Sequence, residues 1–179
     1  SSGIGSSAAR TLTGAGTDYF FGRSVASAGD VNGDGYADVI IGAEKYSTYT
    51  GRAYVYHGGS SGISASVSSI LTGEATGDNF GHSVASAGDV NGDGYADVIV
   101  GADYNDGGES NNVGEAYVYQ GSGNGIITTA IWSDQGEAAY NYFGESVASA
   151  GDVNGDGYGD VIVGAHRNDG AGKAYVYHG

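Results

Sequence analysis

One segment occurs three times in this chain with almost no change. Residues 21–43 read FGRSVASAGDVNGDGYADVIIGA, residues 80–102 read FGHSVASAGDVNGDGYADVIVGA, and residues 143–165 read FGESVASAGDVNGDGYGDVIVGA. Each copy differs from the next at only two positions. A repeat of this kind indicates a supersecondary unit that buries its apolar face against the next copy.

Each copy predicts four short strands and almost no helix, because no 3.6-residue apolar period is found. Strand A is expected at Ser24–Gly29, and strand B at Asp38–Gly42, an apolar run that we expect to be buried on both faces. Strand C is expected at Ala53–His57, where apolar residues and tyrosines alternate with a period of two. Strand D is the weakest pattern and is expected around Arg10–Thr13, Ser69–Thr72 and Ala130–Ser133.

Four strands in each repeat of about 60 residues are typical of the blades of a β-propeller. A β-solenoid rung is much shorter, and a β-sandwich has no reason to repeat its sequence three times. We therefore predict an all-β chain of three propeller blades forming a single domain over residues 1–179, with repeats at 1–59, 60–121 and 122–179.

The acidic composition argues against negatively charged partners. Asp and Glu number 21 against 6 Lys and Arg, a formal net charge of −15, which argues against binding to nucleic acid or to anionic membrane surfaces. No apolar run approaches the roughly 18 residues of a membrane span. Cys is absent from the sequence, which excludes disulfides and thiol chemistry, and Pro and Met are absent too. The absence of three residue types is expected if the chain arose by duplication of a short unit that lacked them.

An acidic loop between strands A and B carries the clearest chemical signal. Its pattern, D-x-N-x-D-G-x-x-D, places side-chain oxygens at positions 1, 3, 5 and 9, a backbone carbonyl at position 7, and a turn-forming Gly at position 6. Calcium prefers six to eight such oxygens. We therefore predict three Ca²⁺ per chain, held by Asp30, Asn32, Asp34, Tyr36 and Asp38; by Asp89, Asn91, Asp93, Tyr95 and Asp97; and by Asp152, Asn154, Asp156, Tyr158 and Asp160.

The loop admits two other interpretations. An EF-hand needs Glu at position 12 and helical flanks, but Ile41, Val100 and Val163 stand at position 12 and strands flank the loop. A metal-free turn rich in Asp and Asn is the second alternative. The pattern occurs three times, and each copy brings carboxylates together, which repel one another unless a cation is bound. The calcium interpretation is therefore favoured.

The combination of Phe-Gly, a calcium loop and Val-Gly-Ala resembles the FG-GAP repeat of integrin α-subunit propellers. The Pro that usually follows Gly-Ala is replaced here by Glu44, Asp103 and His166. The resemblance covers essentially the whole chain. It implies a propeller, seven-bladed in that family, with calcium loops on one face and ligand contacts on the other. It also implies an extracellular or cell-surface location, and similar repeats occur in some fungal lectins and bacterial surface proteins.

Three functions follow as hypotheses. The first is a non-catalytic scaffold for protein interaction or adhesion, and the second is a lectin that binds carbohydrate through the variable rim loops. The third and least favoured is a polysaccharide-active enzyme. An enzyme is not expected, because nucleophile-elbow, zinc-protease and P-loop motifs are all absent, and His57 and His178 recur at matching strand ends as structural residues do. The candidate ligand residues share the D–A and B–C connections; they are Tyr19, Tyr46, Tyr49, Tyr104, Asn105, Tyr140, Asn141, Tyr142, His166 and Arg167.

The expected strand order also predicts an assembly. The chain has a D strand before its first A strand and no D strand after its last C strand. Two copies can exchange these strands and close a six-bladed homodimer, within the usual four to eight blades. A nine-bladed trimer and an open monomer are the alternatives.

Overall fold

The computed structural model describes residues 4–14, 16, 19–105 and 111–179. Antiparallel strands dominate this part of the chain. The strands are β1 Val25–Gly29, β2 Asp38–Ala43, β3 Arg52–Tyr56, β4 Ser69–Thr72, β5 Ser83–Gly88, β6 Asp97–Ala102, β7 Glu115–Tyr119, β8 Trp132–Gln135, β9 Phe143–Gly151, β10 Asp160–Ala165 and β11 Lys173–Tyr177.

Helical structure is limited to two short turns in the described ranges, α1 at Tyr46–Tyr49 and a 3₁₀ turn at Asn168–Gly170. Ser47 and Thr48 inside α1 have φ values of 48° and 58°, so even this segment is not a regular helix. The prediction of almost no helix is confirmed.

The strands form one sheet per repeat, in simple sequential order. The first two sheets have four strands, β1-β2-β3-β4 and β5-β6-β7-β8, and the third has three, β9-β10-β11. The inner strands β1, β5 and β9 lie side by side from one sheet to the next. The result is an all-β stack of propeller blades, as the sequence predicts, and the structure shows that strand A is innermost.

The predicted strand positions agree with the structure except in strand D. The first three strands of each repeat lie close to their predicted limits, and β4 matches Ser69–Thr72. The third D strand, β8, lies slightly later in the chain than predicted. The prediction of a strand at Arg10–Thr13 is wrong for this chain, because no strand in the described ranges lies beside that segment to form a ladder with it.

The core lies between consecutive sheets. Ile40 and Val55 of the first repeat are fully buried against Val84 and Val100 of the second. Strand β6, in the middle of the stack, is buried along its whole length, which confirms that strand B is covered on both faces. Each sheet therefore needs a neighbour on both sides to bury its apolar residues.

The repeated Phe anchors each blade to its own strand C. The ring centroid of Phe80 lies 5.5 Å from that of Tyr117 and 6.2 Å from that of Tyr119. Phe143 has the same relation to Tyr175 and Tyr177, at 5.3 and 6.4 Å. These edge-on contacts are the favoured geometry for aromatic pairs, and they hold the D–A connection over strand C.

Candidate functional site

The three acidic loops lie at one end of the strands. Each connects the inner strand of a blade to the second strand, β1 to β2, β5 to β6 and β9 to β10. Since neighbouring strands are antiparallel, the B–C and D–A connections lie at the opposite end. The sequence-predicted metal residues and the predicted ligand rim are therefore on opposite ends of the blades.

Oxygen-bearing side chains converge inside each loop. In the second copy, the backbone N–H of Asp93 donates to Asp89 Oδ1 at 3.1 Å and to Asn91 Oδ1 at 2.8 Å. The Asn91 amide also donates to Asp93 Oδ2 at 2.9 Å, and Asp89 Oδ2 accepts from Gly94 N at 2.8 Å. The first and third loops repeat these contacts. The sequence folds this way because Asx side chains bond readily to the backbone two residues on.

The last aspartate of each loop braces the backbone. The two carboxylate oxygens of Asp97 accept from Val90 N and Gly121 N, both at 2.9 Å, and the residue is fully buried. Asp38 and Asp160 make the equivalent pairs of hydrogen bonds. This residue thus ties the start of the loop to the end of strand C, a role that the sequence pattern does not reveal.

The environment shifts the pKa values of two of these braces in opposite directions. Burial raises the pKa of Asp97 to about 6, although its two backbone hydrogen bonds act to lower it. The hydrogen bond from Val153 N holds the pKa of Asp160 below the ordinary value for Asp. The two loops are nearly identical in sequence, so groups outside the loop separate the two pKa values: burial dominates for Asp97, whereas His178 also lowers the pKa of Asp160.

The loop fits a hard cation by its donor chemistry. Asp89, Asn91 and Asp93 offer oxygens, which are the ligands that calcium prefers. Within the described residues, however, no group of three or more His, Cys, Asp or Glu side chains is placed to share one ion. Two carboxylates and one amide meet in each loop, while the third carboxylate serves the backbone.

The tyrosines of the second and third loops link neighbouring repeats. The ring of Tyr95 lies against Gly33 of the first loop, and the ring of Tyr158 lies against Gly92 of the second, so closely that a Cβ on either glycine would overlap it. In both contacts the ring packs against the preceding loop, so it does not turn into its own loop.

At the opposite end, a polar cluster joins the first two repeats. His82 Nδ1 lies 2.6 Å from Glu44 Oε2 and 3.5 Å from Asp103 Oδ1. Asp103 is buried, and its Oδ1 accepts no hydrogen bond within the described residues. Next to it, His166 forms an ion pair with Glu145.

The pKa values in the cluster follow from burial and proximity. The hydrogen bond to Glu44 raises the pKa of His82. Burial raises the pKa of Asp103 to about 6. Burial also acts to raise the pKa of Glu44, but His82 and Arg23 outweigh it and leave that pKa below its ordinary value.

A sequence signal for this cluster exists. The residue after Phe-Gly and the residue after Gly-Ala form an oppositely charged pair in each repeat, namely Arg23 with Glu44, His82 with Asp103, and Glu145 with His166. Strands A and B bring these two positions together, because Ser24 and Gly42 are hydrogen-bonded at that end of the first sheet. From the sequence alone, the residue after Gly-Ala is recognisable only as the replacement for the proline that usually stands there.

The predicted ligand rim divides into exposed and buried residues. Tyr49, Tyr104 and Tyr140 are exposed, and Tyr104 and Tyr142 pack edge to face at 5.4 Å. The guanidinium of Arg167 lies 5.0 Å from the Tyr142 ring. His166 is exposed beside them.

Two candidate ligand residues are not available at the surface. Asn105 is buried and donates to the Tyr117 hydroxyl at 2.7 Å. Asn141 is buried and accepts from Ala138 N at 2.7 Å. Tyr46 is half-buried between Tyr19, at 4.9 Å, and the guanidinium of Arg52, at 3.6 Å. Both asparagines thus support the loops internally, so the exposed part of the predicted rim consists of tyrosines, His166 and Arg167.

Sequential antiparallel sheets, adjacent inner strands and an acidic A–B loop in every copy define a repeat protein of the β-propeller class. The FG-GAP repeat model matches residues 21–56, 80–119 and 143–177, which together make up more than half of the chain. The chain belongs to the FG-GAP repeat family.

The similar curated proteins are integrin α-subunits. Integrin alpha-4 of Xenopus laevis is 35% identical over 85% of this chain, and integrin alpha-5 of the same species is 36% identical over 89%. Human integrin alpha-6 is 37% identical over 81% of the chain. The chain spans only 12–16% of the length of these three relatives. No helix in the described ranges has the length and apolarity needed to cross a bilayer.

Proposed function

We propose that this chain is a calcium-binding, non-catalytic propeller scaffold for protein interaction or adhesion, located outside the cell or at its surface. The observation that carries the proposal is the convergence of two aspartates and one asparagine in each of three nearly identical loops. The similarity to integrin α-subunits supports the adhesive role.

Each loop would hold one Ca²⁺ through its first three side chains, a contribution from the backbone carbonyl of the loop tyrosine, and the buried aspartate. When bound, the ion supplies positive charge that offsets the repulsion among the carboxylates. Three ions would change the formal net charge from −15 to −9. The ligand surface would be the opposite rim, away from the ions.

Calorimetry with calcium tests the metal sites directly. We expect three ions per chain, with dissociation constants on the order of 10⁻⁴–10⁻³ M for sites of the extracellular type. At about 1 mM calcium each ion would then stabilise the fold by roughly 0.4–1.4 kcal/mol. No binding heat, together with an unchanged melting temperature in a chelator, would refute the calcium sites.

A lectin is the second candidate function. The exposed side chains of Tyr49 and Tyr104 line a pocket together with Gly77 and Asn79. An aromatic surface beside a polar side chain suits a sugar ring, because one face of the sugar packs on the aromatic group while its hydroxyls form hydrogen bonds. Binding on a glycan array that disappears in Tyr49→Ala and Tyr104→Ala would support it.

Self-association completes the proposed scaffold. Two copies give a six-bladed homodimer, which lies within the usual propeller range, whereas three copies give nine blades, which does not. The exposed apolar side chains of Val25 and Val153, whose equivalents Val84 and Val31 are buried between blades, support self-association.

A further inference from the structure

We propose that two Asn-Gly pairs in the acidic loops, Asn91-Gly92 and Asn154-Gly155, are self-modification sites that convert to aspartate and isoaspartate when their loops hold no calcium. The loop itself supplies a base and an oxyanion donor for this reaction. The dependence on calcium rests on the calcium sites of the proposed function, whereas the reaction uses only the side chains and the backbone of the loop.

The reactive pair is built into the turn. Asn-Gly occurs four times in the chain, once in each acidic loop and once more at Asn124-Gly125. Glycine has no side chain to shield its backbone nitrogen from the amide carbon of the preceding asparagine. In the three loops this glycine has φ values of 71°, 73° and 76°, in the left-handed region that favours glycine. The turn therefore requires the residue that makes the asparagine reactive.

The reaction is an internal attack followed by hydrolysis. The glycine nitrogen forms a bond to Cγ of the asparagine, the bond from Cγ to Nδ2 breaks, and ammonia leaves with the proton of the glycine N–H. The product of this step is a succinimide ring. Water then opens the ring at either carbonyl, which gives aspartate by one route and isoaspartate by the other.

A carboxylate is placed to take the proton in the second and third loops. Gly92 N donates to Asp89 Oδ1 at 2.7 Å. Gly155 N donates to Asp152 Oδ1 at 2.6 Å. As the nitrogen attacks, this oxygen accepts the proton and passes it to the departing ammonia. A positioned general base typically accelerates such a step by about 10²–10⁴-fold.

The amide under attack is also polarised. Asn91 Oδ1 accepts from Asp93 N at 2.8 Å. Asn154 Oδ1 accepts from Asp156 N at 2.9 Å. Negative charge develops on this oxygen during the attack, and a backbone N–H that already points at it stabilises that charge. The same bond folds the asparagine side chain back over the loop backbone, on the side of the attacking nitrogen.

The other two Asn-Gly pairs lack part of this arrangement. Asn32 Oδ1 accepts from Asp34 N at 3.1 Å, but Gly33 N forms no hydrogen bond to a carboxylate within the described residues. Outside the loops, Gly125 N donates to Ser122 O at 2.7 Å, a backbone carbonyl that cannot take the proton. Both pairs should therefore react more slowly, and both serve as controls within the same molecule.

A calcium-loaded loop has no free base. In the proposed site the side-chain oxygens of Asp89 and Asn91 are ligands of the ion. The Asp89 carboxylate is then not available to Gly92 N, and the Asn91 amide cannot turn toward that nitrogen. We therefore expect the modification to be restricted to loops that have lost their calcium.

The two products should differ in calcium binding. Aspartate at position 3 still offers a side-chain oxygen to the ion. Isoaspartate instead carries the backbone through its own Cβ and Cγ, which lengthens the loop and displaces the donors that follow. Each conversion also adds one negative charge to a chain whose formal net charge is already −15. Isoaspartate formation would thus mark a metal-free loop irreversibly.

Peptide mass spectrometry measures each site separately after the folded protein has been incubated at neutral pH in a chelator or in excess calcium. Replacement of NH₂ by OH identifies a converted asparagine, and a sample digested without incubation gives the baseline. In the chelator we expect Asn91 and Asn154 to convert about tenfold faster than Asn32 and Asn124. In calcium the rates of Asn91 and Asn154 should fall about tenfold, while the rate of Asn124 stays the same.

Asp89→Asn tests the base in the second loop alone. The new side chain keeps an acceptor oxygen for Gly92 N but cannot take the proton. In the chelator, Asn91 of this variant should convert about tenfold more slowly than in the parent chain. Asn154 of the same variant should keep the parent rate, and circular dichroism checks that the variant is folded. An unchanged rate at Asn91 would overturn the role of Asp89.

The outcomes separate this inference from the calcium proposal. Equal conversion of all four Asn-Gly pairs in the chelator, or no conversion in the loops, would overturn the self-modification sites and leave calorimetric calcium binding untouched. Equal rates in both solutions, in a chain that does bind calcium, would overturn the protection by the ion. Fast conversion of Asn91 and Asn154 in a chain without calcium-binding heat would support the reaction and refute the calcium sites.

Discussion

The buried aspartate that ends each acidic loop has a structural role that can be measured in a chelator, apart from its proposed part in metal binding. Asp97→Ala removes the acceptor for Val90 N and for Gly121 N, both bonded at 2.9 Å to a fully buried carboxylate. Each buried N–H left without an acceptor costs about 1–3 kcal/mol. Because the carboxylate is itself unfavourable to bury, we expect a net loss of about 2–4 kcal/mol in the free energy of unfolding.

The matched control is Asp93→Ala in the same loop. Asp93 is exposed, and its carboxylate bonds only within the loop, to Tyr95 N at 3.0 Å and to the Asn91 amide at 2.9 Å. We expect this variant to lose one of three calcium ions and to change stability in a chelator by less than about 1 kcal/mol. Asp34→Ala and Asp156→Ala should each remove one ion in the same way.

Urea unfolding in a chelator and in millimolar calcium, combined with calorimetric stoichiometry, measures both effects. The structural role predicts that Asp97→Ala is destabilised in both solutions, and Asp93→Ala mainly in calcium. If Asp97→Ala matched the parent chain in the chelator and differed only in calcium, the bracing role would be refuted. If Asp93→Ala abolished all three sites, the loops would not be independent.

Three further predictions concern the core and the rim. Phe80→Ala should cost about 3–5 kcal/mol in urea unfolding, because the buried ring packs on Tyr117 and Tyr119; Phe21→Ala, at a partly exposed position, should cost clearly less. The raised pKa of Asp103 means that its contribution to stability is complete below about pH 4 and is lost as pH rises to about 6. Asp103→Asn should therefore gain up to about 3 kcal/mol over the parent between pH 4 and pH 7, and a constant difference across that range would contradict the assignment. Gly101→Ala should prevent the second and third blades from packing, because its Cβ would overlap Gly144 O, and a wild-type melting temperature in this variant would refute that close approach.

Local pattern in the sequence was sufficient for the repeats, the inner three strands and the position of the acidic loops. Strand B could be recognised because Val98, Ile99 and Val100 form an unbroken apolar run, which is typical of a strand covered on both faces. The convergence of Asp89, Asn91 and Asp93 follows from alternate residues in one tight turn. Each of these features depends on neighbours close by in the chain.

Only the tertiary structure decided the features that depend on distant neighbours. The Arg10–Thr13 segment has a strand-D sequence but no strand in this chain, because a strand requires a partner for its backbone. Asn105 and Asn141 have the composition of a ligand rim but are buried beside Tyr117 and Asn168. Asp103 lies in an ordinary polar loop by sequence, yet the packing of the blades buries it and raises its pKa. The neighbouring blade decides which side chains are buried and which strands are paired. A sequence pattern within one repeat carries no information about that neighbour.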